Sequence, residues 1–233
     1  MNYLVPTYLR VGSTLLCEAL SILLDEKIMP IEFTEEELAD TEKRNKKIHE
    51  TNGIIKTHCF DAHDLLKDFP DDCLVFYSTR NFIDAILSRL LYEKEVRTKE
   101  GLPIINPVSQ ILSVYPNIES GAFLDLFVET NPTWLEEEAF FWKKATIDIV
   151  HPKVIRINYD NICENIPFLI KQLSDKLSIK KDRQEIAINY LSFDNMKKRH
   201  TEKFLRFGRS GEYERLVSAE TIIKLKTILN KAI

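Results

Sequence analysis

Arg10, Val11, Gly12, Ser13 and Thr14 stand between a short apolar run, Tyr3-Leu4-Val5-Pro6, and a longer one that opens with Leu15-Leu16. These residue types suit an anion. A glycine lets the backbone approach closely, two hydroxyls donate, Arg10 adds positive charge, and the first N–H groups of a following helix favour negative charge. The alternative for Ser13 or Thr14 is a plain helix N-cap. A Walker A loop needs Gly-Lys directly before the hydroxyl, whereas the basic residue here lies two places ahead of the glycine, which disfavours an ordinary ATP or GTP loop. A second group, Arg80 and Ser88, spans just over two helical turns, a spacing at which both side chains reach one phosphate. Between the two groups lies Ile54-Ile55-Lys56-Thr57-His58, which offers a cation in Lys56 and, in His58, a base that titrates near neutral pH.

Short β-rich runs alternating with helical patterns predict a parallel α/β sheet to position these groups. Tyr3 to Pro6, Gly53 to Lys56, Cys73 to Ser78 and Lys153 to Asn158 are expected as buried strands, with the site at their C-terminal ends. Helices are expected over Thr14–Leu24, Ala62–Lys67, Phe82–Lys94, Trp134–Val150, Pro167–Leu177, Arg183–Leu191 and Ala219–Lys231, the fourth opened by a capping box at Thr133. The charge-dense Glu32 to Glu50 segment is expected to be a solvated helix or an exposed cover. Residues 96–132, with Gly101, Pro103, Pro107, Pro116 and Gly121 among apolar residues, suggest an irregular insertion that lines the acceptor region. No repeat or boundary is evident, so one domain over 1–233 is expected.

Composition narrows the class. With 233 residues and 44% hydrophobic content the chain can bury a substantial core, and a net charge of −4 gives no dominant nucleic-acid footprint. The four cysteines, Cys17, Cys59, Cys73 and Cys163, show no metal-ligand spacing and fit reduced thiols in a cytoplasmic protein, with no structural metal expected. The apolar run from Leu15 to Leu24 is interrupted by Glu18 and is too short to span a bilayer, so no membrane span is expected.

Arg10-Val11-Gly12-Ser13-Thr14-Leu15-Leu16 resembles the P-R-S-G-S-T-L-L phosphosulfate loop of the sulfotransferases that use 3′-phosphoadenosine 5′-phosphosulfate (PAPS), with Val11 for serine. Arg80, Asn81, Asp84 and Ser88 follow the spacing of their R-N-P-x-D-x-x-x-S element, with Phe82 for proline. Lys56-Thr57-His58 resembles their K-T-H, and Tyr159 the tyrosine of Y-E-D-L. Ser192-Phe193 with Met196-Lys197 resembles S-F-x-x-M-K, while Phe204 to Tyr213 resembles F-x-R-K-G-x-x-G-D-W. The resemblance implies a P-loop-like sulfotransferase fold. It implies sulfuryl transfer from PAPS to a small-molecule or glycan hydroxyl, or to an amine, leaving 3′-phosphoadenosine 5′-phosphate (PAP). Arg10, Val11, Gly12, Ser13 and Thr14 would hold the 5′ end. Arg80, Ser88, Arg206 and Gly208 would hold the 3′-phosphate, and Tyr159, Phe193, Met196 and Phe204 would complete the nucleotide pocket. His58 would be the base, or Glu18, one turn beyond Thr14, as a carboxylate of the kind carbohydrate-acting members use, with Lys56 and Arg10 facing the transferring group. Departures bear on affinity: Leu15 and Tyr213 stand where the family has tryptophan, and Phe207 where it has lysine. A P-loop small-molecule kinase and a catalytically silent PAP-binding module are the competing readings.

Overall fold

The structure is a computed structural model that describes residues 2–7, 12–58, 70, 72–146, 152–162, 164–199, 211 and 213–232. Its sheet has five strands: β1 (Asn2–Thr7), β2 (Ile28–Pro30), β3 (Ile54–His58), β4 (Cys73–Thr79) and β5 (Val154–Asn158). Their order is β2-β3-β1-β4-β5, and every neighbouring pair is parallel. Consecutive residues Leu4 and Val5, Ile54 and Ile55, and Val75 and Phe76 are all fully buried. Both faces of these strands are therefore covered, which is why they read as continuous apolar runs.

Contacts divide the chain into two compact units, where the sequence shows no boundary: residues 1–80 with 144–196, and residues 81–143 with 197–233. The first contains the whole sheet. Helix α1 (Ser13–Leu24) buries Leu16, Leu20 and Leu23 and packs on β1, β2 and β3. Helices α2 (Glu35–Ala39) and α3 (Thr41–Glu50) replace the single solvated segment expected at 32–50. A capping box between Thr34 and Glu37 starts α2, Asp40 caps α3, and Lys47 pairs with Glu37 at 2.8 Å. Ile48 of α3 closes a small cluster with Leu4, Ile55, Val75 and Tyr77. After β5 come α8 (Tyr159–Ile162), α9 (Ile166–Leu177) and α10 (Lys181–Tyr190), the last two packed on α1.

The second unit is helical. It holds α4 (Phe82–Tyr92), a π-helical turn at Glu93–Arg97, α5 (Asn106–Val114), α6 (Ser120–Thr130), the bulk of α7 (Pro132–Thr146), a 3-10 turn at Tyr213–Leu216 and α12 (Ala219–Lys231). Phe82, Leu87, Val108, Phe123, Phe127, Leu135 and Leu225 fill its core, and Trp134 meets Phe127 edge-on at 5.3 Å. Residues 96–132 are thus not an irregular insertion, because most of them form two helices that supply much of this core. The helix expected over 82–94 turns π-helical after Tyr92. Helix α7 starts at Pro132, and the Leu135 amide bonds Asn131 O at 3.2 Å, so Thr133 lies inside the helix and does not cap it. Helix α11 (Phe193–Arg199) follows α10 in the chain. The helix expected at 62–67 lies outside the described residues.

Candidate functional site

Parallel strands bring their C-terminal ends to one edge of the sheet, and several candidate residues stand there. Thr7 of β1 lies in register with His58 of β3, and Thr79 of β4 with Asn158 of β5. Arg80 follows β4 directly and Tyr159 follows β5. His58 closes β3, and its side chain lies outside the description.

Gly12 is the N-cap of α1, at φ +83° and ψ 17°, with no side-chain cap hydrogen bond. Neither Ser13 nor Thr14 caps the helix, contrary to the plain-cap alternative. No acidic residue occupies the first turn, so the positive end of the helix dipole is not complemented from within the helix. Glycine is required twice over at position 12. An L side chain is strained at that φ, and a Cβ there would stand 1.9 Å from Cδ2 of the Tyr159 ring.

The Lys56 ammonium donates to Thr14 Oγ1 at 3.3 Å, which fixes one cation beside the helix start. Cys17, one turn further into α1, is buried and its thiol is pushed up to about 12; burial is the main cause, Lys56 opposes it and Glu18 adds to it. The thiol stays protonated at neutral pH, so it is no nucleophile. Glu18 is half-buried and lies one turn from Thr14 on the same helix.

Arg80 is only 7% exposed. Its guanidinium lies 4.9 Å from the centre of the Tyr159 ring, and its Nε is 4.0 Å from Asp160 Oδ1. Asp160 is set by its own amide, which donates to Asn158 Oδ1 at 2.9 Å. Asp160 is a site residue that the sequence analysis does not single out; an acid directly after Tyr159 is the signal that points to it. Gly12, Thr14, Lys56, Arg80, Tyr159 and Asp160 all belong to the first unit. Met196 of α11 is buried at 3% exposure, and the side chain of Phe193, which opens that helix, is not described.

Ser88 belongs to the second unit and is buried on α4. Asn81 caps that helix, accepting from the Ile83 amide at 2.8 Å and the Asp84 amide at 3.4 Å. Asp84 Oδ2 accepts the Gly211 amide at 2.7 Å across 127 residues of chain. Arg89 pairs with Glu138 and lies over Trp134 at 5.1 Å. Arg10, Val11, Phe204, Arg206 and Gly208 lie outside the described residues. Among the described residues no cluster of three or more His, Cys, Asp or Glu could hold a metal ion, and no helix is long and apolar enough to cross a membrane.

No family model matches the sequence, and no curated protein is similar to it. Solved structures are. The mouse sulfotransferase SULT7A1 complexed with PAP is similar over 97% of this chain and 82% of its own, at a TM-score of 0.60 and 16% identity. Retinol dehydratase in complex with androsterone and the inactive cofactor PAP is similar over 99% of this chain and 80% of its own, at 0.60 and 15%. Its complex with retinol and PAP gives the same coverage and TM-score at 16% identity. At such identities the likeness defines the fold: a five-stranded parallel sheet flanked by helices, the sulfotransferase fold.

Proposed function

We propose that this chain is a PAPS-dependent sulfotransferase that transfers a sulfuryl group to the hydroxyl, or the amine, of a small molecule. The observation that carries the reading is the start of α1. There a helix without a side-chain cap opens at a left-handed glycine, with the Thr14–Lys56 pair beside it, in a fold shared with two proteins crystallised with PAP. Gly12, Ser13 and Thr14 would hold the 5′-phosphosulfate with Arg10 and Val11, while Arg80 and Ser88 would take the 3′-phosphate with Arg206 and Gly208. Tyr159, Phe193, Met196 and Phe204 would border the adenine. The whole chain, 1–233, would then serve as one sulfotransferase domain.

In the reaction, the acceptor oxygen attacks sulfur as the bond from sulfur to the bridging phosphate oxygen breaks. The acceptor proton passes to His58, or to Glu18 if the carboxylate is the base. Charge developing on the departing phosphate is met by Lys56, Arg10 and the α1 amides, so positioning and electrostatics carry most of the catalysis. The role that magnesium plays in a kinase falls to these cations, and activity is expected to survive EDTA. A small hydroxyl acceptor fits the androsterone and retinol named in the retinol dehydratase complexes. A cytoplasmic setting fits the free thiols of Cys17 and Cys73. Incubation with PAPS labelled at sulfur and a panel of phenols, steroids, aliphatic alcohols, amines and sugars tests the reading. Labelled acceptor with stoichiometric PAP is expected; PAP binding without transfer to any acceptor would reduce the chain to a binding module.

A further inference from the structure

The ring of Tyr159 touches two groups given separate tasks. One face of the contact is Gly12, where a Cβ would stand 1.9 Å and 2.4 Å from two ring carbons. The other is Arg80, whose guanidinium lies 4.9 Å from the ring centre. The ring is anchored at the sheet edge because Tyr159 directly follows β5, whose neighbour β4 delivers Arg80. Asp160, the next residue, faces Arg80 Nε at 4.0 Å. One dipeptide, Tyr159-Asp160, therefore contacts both the backbone at the 5′ cradle and the cation assigned to the 3′-phosphate.

Resting on the sulfotransferase reading, we infer that Tyr159 is a positioning residue that sets the spacing between the 5′ and 3′ phosphate seats of the nucleotide. Its ring is a rigid spacer. A guanidinium held over an aromatic face is fixed in place beside the ring, and an arginine so placed suits recognition of a phosphate. A flat ring against Gly12 also limits how the backbone at the start of α1 can shift, so the helix amides stay aimed at the 5′ end. The role differs from a contact with adenine, because it acts on both phosphates whether or not a base is attached.

Calorimetry on Tyr159→Ala and Tyr159→Phe separates the two, using PAP and the base-free probe ribose 3,5-bisphosphate. The positioning role predicts that Tyr159→Ala weakens both probes by a similar factor of at least about tenfold. Tyr159→Phe, which keeps the ring, should return both to within about threefold of the native chain. If Tyr159→Ala weakens PAP and spares the base-free probe, the residue is an adenine contact and the inference is overturned. A ligand-free readout keeps this distinct from the functional reading: in the unfolding stability of Gly12→Ala, Tyr159→Ala and the double variant, the added methyl should cost less once the ring is gone. Additive effects would remove the Gly12–Tyr159 contact on which the inference stands. A native chain that binds neither probe while that coupling is present would overturn the sulfotransferase reading, and with it this role, while leaving the contact intact.

Discussion

Helices α1 and α4 each follow a parallel strand, and they begin in opposite ways. Helix α1 opens at Gly12 in a left-handed conformation, without a side-chain cap and without an acid in its first turn. Helix α4 opens at Asn81, whose side chain accepts from two backbone amides, and Asp84 stands in its first turn. The second start satisfies its own donors and complements its own dipole. The first has neither a side-chain cap nor an acid in its first turn among the described residues, and Lys56 adds a further positive charge beside it. A helix start of the first kind is suited to an external anion; at the start of α4 the Asn81 side chain already takes two of the amides. The contrast extends to the units that hold them, since the first gathers polar groups at a strand edge and the second is built on a packed apolar core.

The largest expected effect belongs to the first unit. His58→Ala should lower turnover by about 10²- to 10⁴-fold with PAP affinity unchanged. Glu18→Gln is the paired variant. A large loss there, with His58→Ala nearly silent, would move the base to α1. Next comes Gly12→Ala, for which strain at φ +83° and the clash with Tyr159 predict a loss of PAP affinity of at least about 10²-fold, on the order of 2.7 kcal/mol. Wild-type affinity in that variant would break the contrast at its stronger end. Asn81→Ala tests the other helix: denaturant unfolding should show a loss of about 0.5–2 kcal/mol, the usual cost of an N-cap.

Alkaline pH gives the smallest effect under working conditions. Burial raises both the Cys17 and Cys73 thiols to about 12, so the folded chain keeps two protons that the unfolded chain releases from about pH 8.5 upward. The contribution of the two thiols should be flat below that pH and fall towards pH 12, by at most about 1.4 kcal/mol per pH unit for each. Unfolding measured against pH for Cys17→Ala and Cys73→Ala should show a shallower fall.

Much of the first unit was legible because its strands are buried on both faces and their apolar runs stand out against charged helices. Strand β2 was not legible: it has three residues, and Met29 and Pro30 are exposed. In the second unit Pro107 and Gly121 look like breakers, but Pro107 falls in the first turn of α5, where its missing amide costs nothing. Gly121 sits in α6 where a Cβ would meet Leu216 O at 2.5 Å, so it marks a close approach and not a break. At the site, the composition of residues 10–14 pointed to an anion. The contact of Tyr159 with Gly12 and Arg80 was hidden, because it depends on β4 and β5 being neighbours, and that order is a property of the fold.

The central claim is that this chain seats a nucleotide carrying phosphates at both the 3′ and 5′ positions. PAPS and adenosine 5′-phosphosulfate differ only in the 3′-phosphate, so titrating both into the native chain by calorimetry, without magnesium, isolates it. Charge-assisted hydrogen bonds of about 1.5–3 kcal/mol predict that PAPS binds about 10- to 150-fold tighter. Equal affinities, or binding of neither, would contradict the account.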